Sequence, residues 1–175
     1  MPRSSRLGRV AAGLALALWL ALVPGPARAD YQSAVLAYET GDFRGALKEF
    51  RRLASHGHTG AEFMLGAMYF YGKGVRRNDP VAAIWFQKAA VKGNANAMLA
   101  FGSIYFRGLG VRQDLVQAYM WLDLASTVSE HPDLRQQAVQ LRHEAARLMQ
   151  PAEVERAQAN ADAWRPTISG FSVLE

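Results

Sequence analysis

The chain contains no cysteine in its 175 residues. This absence excludes a disulfide, a lipid-modified N-terminal cysteine and a thiol nucleophile. The serine motifs SxxK and GxSxG are also missing, and neither of the glycine loops GKGV and GLGV continues into the Gly-Lys-Ser/Thr of a phosphate-binding loop. We therefore predict no catalytic residue and no bound cofactor.

Histidine is scarce, and the four copies do not form a metal-binding pattern. His56 and His58 lie in a predicted turn without a carboxylate at ligand spacing, whereas a zinc site takes three or four ligands. His143 and Glu144 begin a sequence like HExxH, but Arg147 stands where the second histidine would be. The sequence therefore predicts no metal site.

An excess of one charge is also missing once the N-terminus is set aside. Residues 1–29 contain four arginines and no acidic residue, so the rest of the chain carries 16 basic and 15 acidic residues. This balance argues against nucleic-acid binding. Residues 31–112 still carry 11 basic and 5 acidic residues, which either favours an acidic partner or forms an ordinary solvated surface.

The first 29 residues have the layout of a secretory signal peptide. Three arginines precede an apolar run at 10–23, and Ala-Arg-Ala at 27–29 provides a cleavage site of small residues. A membrane anchor is the alternative, but the 14 apolar residues are fewer than the roughly 20 that cross a bilayer. We predict cleavage after Ala29, a periplasmic location and no integral membrane segment in the mature protein.

What the chain does contain is a repeat with a period of 36 residues. Residues 61–90 return as residues 97–126, with eleven identical positions. In each copy, apolar residues follow the helical period before and after a glycine-containing loop. Each copy is thus predicted to be a helix–loop–helix hairpin that needs a neighbour to bury its apolar faces.

The loop residues indicate where the helices end and begin. Gly72 and Gly74 are expected to stop the first helix and to take positive φ angles, which strain residues that have a Cβ. Asn78 or Asp79 is expected to cap the second helix, and Asp114 is expected to do so in the next copy.

The repeat also organises the rest of the chain. A hairpin with a shorter loop precedes the two copies, so the predicted array covers 30–129, with units at about 31–57, 60–93 and 96–129. Two further helices, predicted at 133–149 and 151–164, form a capping pair within 130–165. Residues 166–175 are interpreted as a tail.

The pattern AxxxLGxxYxxGxGV followed by AxxWxxxAA resembles the Sel-one-like repeat, a subclass of the tetratricopeptide superfamily. The residues that match it in one copy are Ala61, Leu65, Gly66, Tyr69, Gly72, Gly74, Val75, Ala82, Trp85, Ala89 and Ala90. The second copy departs from the pattern at Phe101, Ser126 and Ser129. The resemblance covers about residues 31–129 and implies an all-α, right-handed α-solenoid of three helix-turn-helix repeats with a C-terminal capping helix pair.

In tetratricopeptide arrays the first helix of each hairpin lines the concave face, so the resemblance implies a partner-binding surface there. The candidate residues are Gln32, Leu36, Glu39, Phe63, Ala67, Phe70, Tyr71, Leu99, Ser103, Phe106 and Arg107. Aromatic residues among small and charged ones suit a peptide or helix ligand. Because Phe70 and Phe106 recur at the repeat period, they are equally compatible with packing between helices. Trp85 and Trp121 are assigned to the core.

These features predict a non-catalytic adaptor that binds a protein or peptide partner. The resemblance suggests roles in cell-envelope assembly, exopolysaccharide machinery or signalling by a kinase. One alternative is a repeat protein that binds or hydrolyses β-lactams or peptidoglycan fragments, as described for some cysteine-rich exported members of this family, but their cysteines are absent here. A purely structural spacer is a third interpretation.

Overall fold

The computed structural model describes the backbone of residues 26–169 and the side chains of residues 30–165. These residues form eight α-helices and no strand. In chain order the helices are α1 Pro26–Glu39, α2 Phe43–Ser55, α3 Thr59–Tyr71, α4 Asp79–Val91, α5 Ala95–Arg107, α6 Leu115–Val128, α7 Pro132–Arg147 and α8 Pro151–Ser169.

Most of the predicted signal peptide, residues 1–25, lies outside the described residues. Helix α1 begins at Pro26, so the predicted cleavage site falls in its first turn. Among the helices that the structure describes, none is long and apolar enough to cross a membrane.

The helices pack as successive hairpins. Helix α1 packs on α2, α3 on α4 and α5 on α6, and each hairpin also packs on the next through α2 with α3 and α4 with α5. Helix α7 then packs on α6 and α5, while α8 packs on α6. The prediction of an all-α solenoid of helical repeats is confirmed.

The helix ends follow the predicted local chemistry. The side chain of Asn78 accepts a hydrogen bond from the Val81 N–H at 3.1 Å, and that of Asp114 accepts one from the Val116 N–H at 2.9 Å. Helix α3 ends at Gly72, whose φ of 68° is left-handed. Each cap satisfies a backbone group that a helix end leaves unpaired.

Small residues allow the two helices of the second and third hairpins to approach closely. A Cβ built on Gly66 of α3 would lie 2.5 Å from the ring of Phe86 on α4, and one on Gly102 would lie 2.8 Å from Leu122. Both distances are far shorter than ordinary van der Waals contact. The glycines that repeat at this position therefore set the spacing between the helices.

The two repeat-related tryptophans differ in burial. Trp121 is 3% exposed and packs against Trp164 of α8 with ring centroids 5.3 Å apart, so its assignment to the core is confirmed. Trp85 is only partly buried, and Lys88 of its own helix covers the ring at 4.3 Å. Trp85 packs against core residues of α1, α2 and α3, so its core assignment is correct only in part; α8, which covers Trp121, packs on α6.

The capping pair differs from its predicted bounds at both helices. Helix α7 ends at Arg147, and α8 continues to Ser169, so it includes the first four residues of the predicted tail. Pro166 does not end α8: it cannot donate a backbone hydrogen bond, but its fixed φ is compatible with helical geometry. Asp123 of α6 accepts hydrogen bonds from Arg142 of α7 and Arg165 of α8, which holds both helices against the array.

Candidate partner-binding groove

A groove of about 310 Å³ lies between α3 and α5. We call it the central groove. Its lining residues are Phe63, Ala67, Phe70, Tyr71, Phe86, Asn96, Leu99, Ala100, Ser103, Ile104, Arg107 and Leu109.

The helical period places the lining residues on facing surfaces. On α3, Ala67 and Tyr71 follow Phe63 at spacings of four residues; on α5, Ser103 and Arg107 follow Leu99 at the same spacing. Residues four apart lie above one another on a helix. Because α3 and α5 are the first helices of consecutive hairpins, these two surfaces form opposite walls.

Phe86 of α4 contributes a buried aromatic floor to the groove. Its side chain is only 3% exposed, and its ring centroid lies 5.9 Å from that of Phe63 and 6.4 Å from that of Phe70. The absence of a side chain at Gly66 leaves the space that the Phe86 ring occupies. The groove is therefore lined at depth by three aromatic rings, with Phe86 between Phe63 and Phe70 and in contact with both.

The rim of the groove is more polar at the C-terminal ends of α3 and α5. Tyr71 is 66% exposed, and Arg107 is exposed at the last position of α5. The guanidinium of Arg77 lies 5.4 Å from the Phe70 ring, where it makes a cation–π contact. Arg107 is a second, exposed cation at this end of the groove, where it lines the groove together with Phe70 and Tyr71.

Arg77 is held in place by the first residue of α4. Its Nε and Nη2 atoms donate to the two carboxylate oxygens of Asp79, both at 2.8 Å. The hydrogen bonds from Arg77 lower the pKa of Asp79 below its ordinary value of 3.8, although partial burial opposes this change. The carboxylate therefore stays charged and keeps Arg77 beside the groove.

Seven of the eleven residues predicted from the sequence line this groove. They are Phe63, Ala67, Phe70, Tyr71, Leu99, Ser103 and Arg107. Phe70 both lines the groove and packs against the core, which combines the two alternatives left open for it. The hydroxyl of Ser103 donates to the Leu99 carbonyl at 2.7 Å, so it is already engaged within its own helix.

The other four predicted residues lie elsewhere. Phe106 is partly buried against residues of α6, α7 and α8, including Ala145, because α7 covers that side of α5. Phe106 therefore follows the alternative of packing between helices, and it does not line the groove. Gln32, Leu36 and Glu39 are exposed on α1, one hairpin away from the groove that α3 and α5 form.

Sequence reasoning missed five residues of the lining. Asn96 and Ala100 precede Ser103 by seven and three residues, so the helical period was sufficient to find them. Ile104 is mostly a core residue, and Leu109 comes from the loop after α5. Phe86 belongs to the second helix of its hairpin, so only the packing of α4 beneath α3 reveals its place.

The polar groups near the hairpins serve structural purposes. The Nδ1 atom of His58 accepts a hydrogen bond from the Ala61 N–H at 3.2 Å, and its ring stacks on Tyr31 at 4.5 Å. Across the described part of the chain, no three histidine, aspartate or glutamate residues are grouped to hold a metal ion. Among the residues that the structure describes, those that line the central groove include no carboxylate. The aromatic and aliphatic lining of the groove suits apolar side chains of a partner, and Arg107 suits an anionic group.

Comparison with known proteins agrees with this architecture. The Sel1 repeat model matches residues 59–94 and 93–127, which contain the second and third hairpins. A protective antigen of uropathogenic Escherichia coli strains, which displays an SLR fold, has a TM-score of 0.74 and 28% identity over 86% of this chain and 33% of the antigen. A Sel1 repeat protein from Oxalobacter formigenes has a TM-score of 0.57 and 37% identity over 67% of this chain and 35% of its own.

The chain therefore spans about a third of the length of each of these two structures. No curated protein matches the chain.

Proposed function

Because this chain is a Sel1-like repeat protein, with two Sel1 repeats in an all-α solenoid, we propose that it is a non-catalytic periplasmic adaptor. Proteins with these repeats are generally protein-interaction modules. The observation that carries the proposal is the convergence of α3 and α5 side chains on one apolar groove. The partner binds there through an apolar segment.

The shape of the groove favours insertion of apolar side chains from a peptide or helix. Its depth is formed by Phe63, Phe70 and Phe86, and its volume of about 310 Å³ accommodates a few side chains rather than a whole domain. Buried aromatic pockets are where protein interfaces concentrate their binding energy. The anchor on the partner is therefore a large aliphatic or aromatic residue.

The charge near the groove indicates an acidic residue beside that anchor. Arg107 is exposed at the rim, and residues 31–112 carry more basic than acidic residues. A carboxylate of the partner can form a charge-assisted hydrogen bond with Arg107. We therefore propose an amphipathic partner segment that combines an apolar anchor with acidic residues.

Crosslinking from the rim of the groove tests this proposal. A photoreactive amino acid at position 71 replaces an exposed tyrosine of the groove, and the same amino acid at position 84 replaces Ile84, which is 53% exposed on α4 and does not line the groove. We expect one dominant adduct in cells from position 71 and a clearly weaker one from position 84. Mass spectrometry of that adduct distinguishes partners in envelope assembly, exopolysaccharide production and signalling.

A charge reversal provides the control. Arg107→Glu is expected to abolish the adduct from position 71 while the circular dichroism spectrum and the melting temperature stay unchanged, because Arg107 is exposed. Equal adducts from positions 71 and 84, or an adduct that survives Arg107→Glu, would contradict the assignment of the groove. Turnover of a β-lactam or of peptidoglycan fragments by the pure protein would contradict its non-catalytic character.

The periplasmic location is a separate part of the proposal. It rests on the arginines, the apolar run and the small-residue cleavage site within residues 1–29. N-terminal sequencing of the protein recovered from the periplasmic fraction is expected to begin at Asp30. An intact N-terminus in the membrane fraction would show that the segment is an anchor.

A further inference from the structure

Helix α2 presents a row of basic side chains on its outer surface. Lys48 follows Arg44 by four residues, and Arg51 follows Lys48 by three. Residues at these spacings lie on one face of a helix. All three are exposed, whereas the opposite face of α2 is buried against α1 and α3. We call Arg44, Lys48 and Arg51 the basic row.

Carboxylates do not balance the charge around the basic row. Residues 42–92, from the N-cap of α2 to the C-cap of α4, contain nine basic and four acidic residues. Asp42 caps α2 by accepting a hydrogen bond from the Gly45 N–H at 2.9 Å. The other three carboxylates form the ion pairs Glu49–Arg52, Glu62–Lys92 and Asp79–Arg77. Arg52 also pairs with Asp30 of α1.

Six exposed basic side chains of this segment are left without a carboxylate. Within the described residues no ion pair is formed by Arg44, Lys48, Arg51, Lys73, Arg76 or Lys88. Arg51 Nη2 donates to the Tyr69 hydroxyl at 2.8 Å, and Lys73 Nζ lies 5.1 Å from the ring centre of Phe43, the first residue of α2. Both partners are neutral, so these contacts fix two cations in place and leave their charge free to attract an anion.

An exposed aliphatic side chain lies on the same side of the array. At the repeat period of 36 residues, Lys48 corresponds to Ile84 of α4 and to Met120 of α6. Met120 is 3% exposed on α6, on which α8 packs, whereas Ile84 is 53% exposed. Because α2 and α4 are the second helices of successive hairpins, their outer faces point away from the first helices that form the walls of the central groove.

We propose that this outer side of α2 and α4 binds the surface of an anionic lipid bilayer. The basic row and Lys73 bind the negatively charged headgroups, and Ile84 enters the boundary between headgroups and acyl chains. Each lysine or arginine near an anionic bilayer surface strengthens binding about fivefold. In this orientation the central groove faces away from the bilayer and stays accessible to a protein partner.

The shape of the surface favours a bilayer over an acidic protein. The basic row stands on the outside of a helix, and its residues line neither the central groove nor any of three further clefts between the described helices. Protein interfaces concentrate their binding energy in buried pockets. A bilayer needs no pocket, because its lipids diffuse laterally to meet exposed cations.

Sedimentation with lipid vesicles tests the proposal. The protein is used as recovered from cells, with its N-terminus identified by mass spectrometry. It is mixed with vesicles of phosphatidylcholine alone or of phosphatidylcholine and phosphatidylglycerol in equal amounts. We expect binding to the anionic vesicles at about 0.1 M salt, at least about tenfold weaker binding at about 0.5 M salt, and weak binding to phosphatidylcholine at both.

Two matched pairs of substitutions locate the binding surface. Arg44→Gln with Lys48→Gln removes two charges of the basic row and should weaken binding about tenfold to thirtyfold. Arg147→Gln with Arg156→Gln removes the same charge from exposed positions of α7 and α8 and should change binding less than about threefold. All proteins share one N-terminus, so any lipid affinity of residues 1–29 cancels in the comparison.

A fluorescent label shows which side of the array meets the bilayer. Because the chain has no cysteine, Ile84→Cys and Tyr71→Cys each provide a single attachment site, one on α4 and one at the rim of the central groove. Lipids that carry a spin-labelled headgroup are expected to quench the label at position 84 and to leave that at position 71 unquenched.

Three results would overturn the proposal. One is equal binding to the two kinds of vesicle, and another is an equal loss for the two pairs of substitutions. The third is binding of poly-L-glutamate in preference to anionic vesicles, which would make this surface a site for an acidic protein. None of these measurements depends on a partner in the central groove, so the crosslink from position 71 tests the adaptor function separately.

Discussion

Replacing Gly66 with alanine tests the packing contact on which the central groove is built. Gly66 lies in the middle of α3, where its missing side chain makes room for Phe86 of α4. An added Cβ would lie 2.5 Å from Cδ1 and 2.6 Å from Cε1 of that ring. Ordinary carbon–carbon contacts are about 3.5–4.0 Å, so the ring must move by about 1 Å.

Two opposing effects decide the sign of the change. Alanine is favoured over glycine in a helix interior by about 1 kcal/mol. Overpacking a core typically costs about 1–3 kcal/mol, and Phe86 has little freedom to move because it is 3% exposed and contacts Phe63 and Phe70. We therefore expect Gly66→Ala to lower the free energy of unfolding by about 1–2 kcal/mol.

Urea unfolding followed by circular dichroism measures this change. Combining Gly66→Ala with Phe86→Leu should relieve the clash, so the loss in the double variant should be smaller than the sum of the single losses by about 1 kcal/mol. A gain in stability for Gly66→Ala, or strict additivity in the double variant, would refute the close contact between α3 and α4.

The remaining predictions concern the tryptophan pair, one ion pair and the capping helices. Trp121→Ala should cost about 3–5 kcal/mol in urea unfolding because the ring is buried, whereas Trp85→Ala should cost about 1–2 kcal/mol; equal losses would contradict their different burial. Arg77 lowers the pKa of Asp79 in the folded protein. The ion pair therefore stabilises the fold at pH values above the unfolded pKa near 3.8, and this stabilisation is lost as the pH falls through the lower pKa of the folded state. The stability difference between the wild type and Asp79→Asn should therefore shrink below about pH 4, and a difference independent of pH would exclude this ion pair. Asp123→Ala removes the carboxylate that accepts from both Arg142 and Arg165 and should cost about 1.5–3 kcal/mol, with faster limited proteolysis within α8; an unchanged cleavage pattern would show that the carboxylate does not hold this helix.

Local features of this protein follow directly from its sequence. The repeat period, the glycines with positive φ and the caps at Asn78 and Asp114 predict the hairpins, because each depends on residues a few positions apart. The same local period identifies most of the groove on α3 and α5, including Phe63 and Leu99, since residues four apart share a helix face.

Only the tertiary structure decides what covers each of those faces. Phe70 and Phe106 occupy the same position of the repeat, yet Phe70 lines the central groove, whereas Phe106 packs against residues of α6, α7 and α8, because α7 packs beside α5. Trp85 and Trp121 differ for the same reason, since α8 packs on α6. A repeated sequence specifies which side of a helix is apolar, but burial depends on the neighbour in space. At the end of the array that neighbour is a capping helix with no counterpart in the repeat.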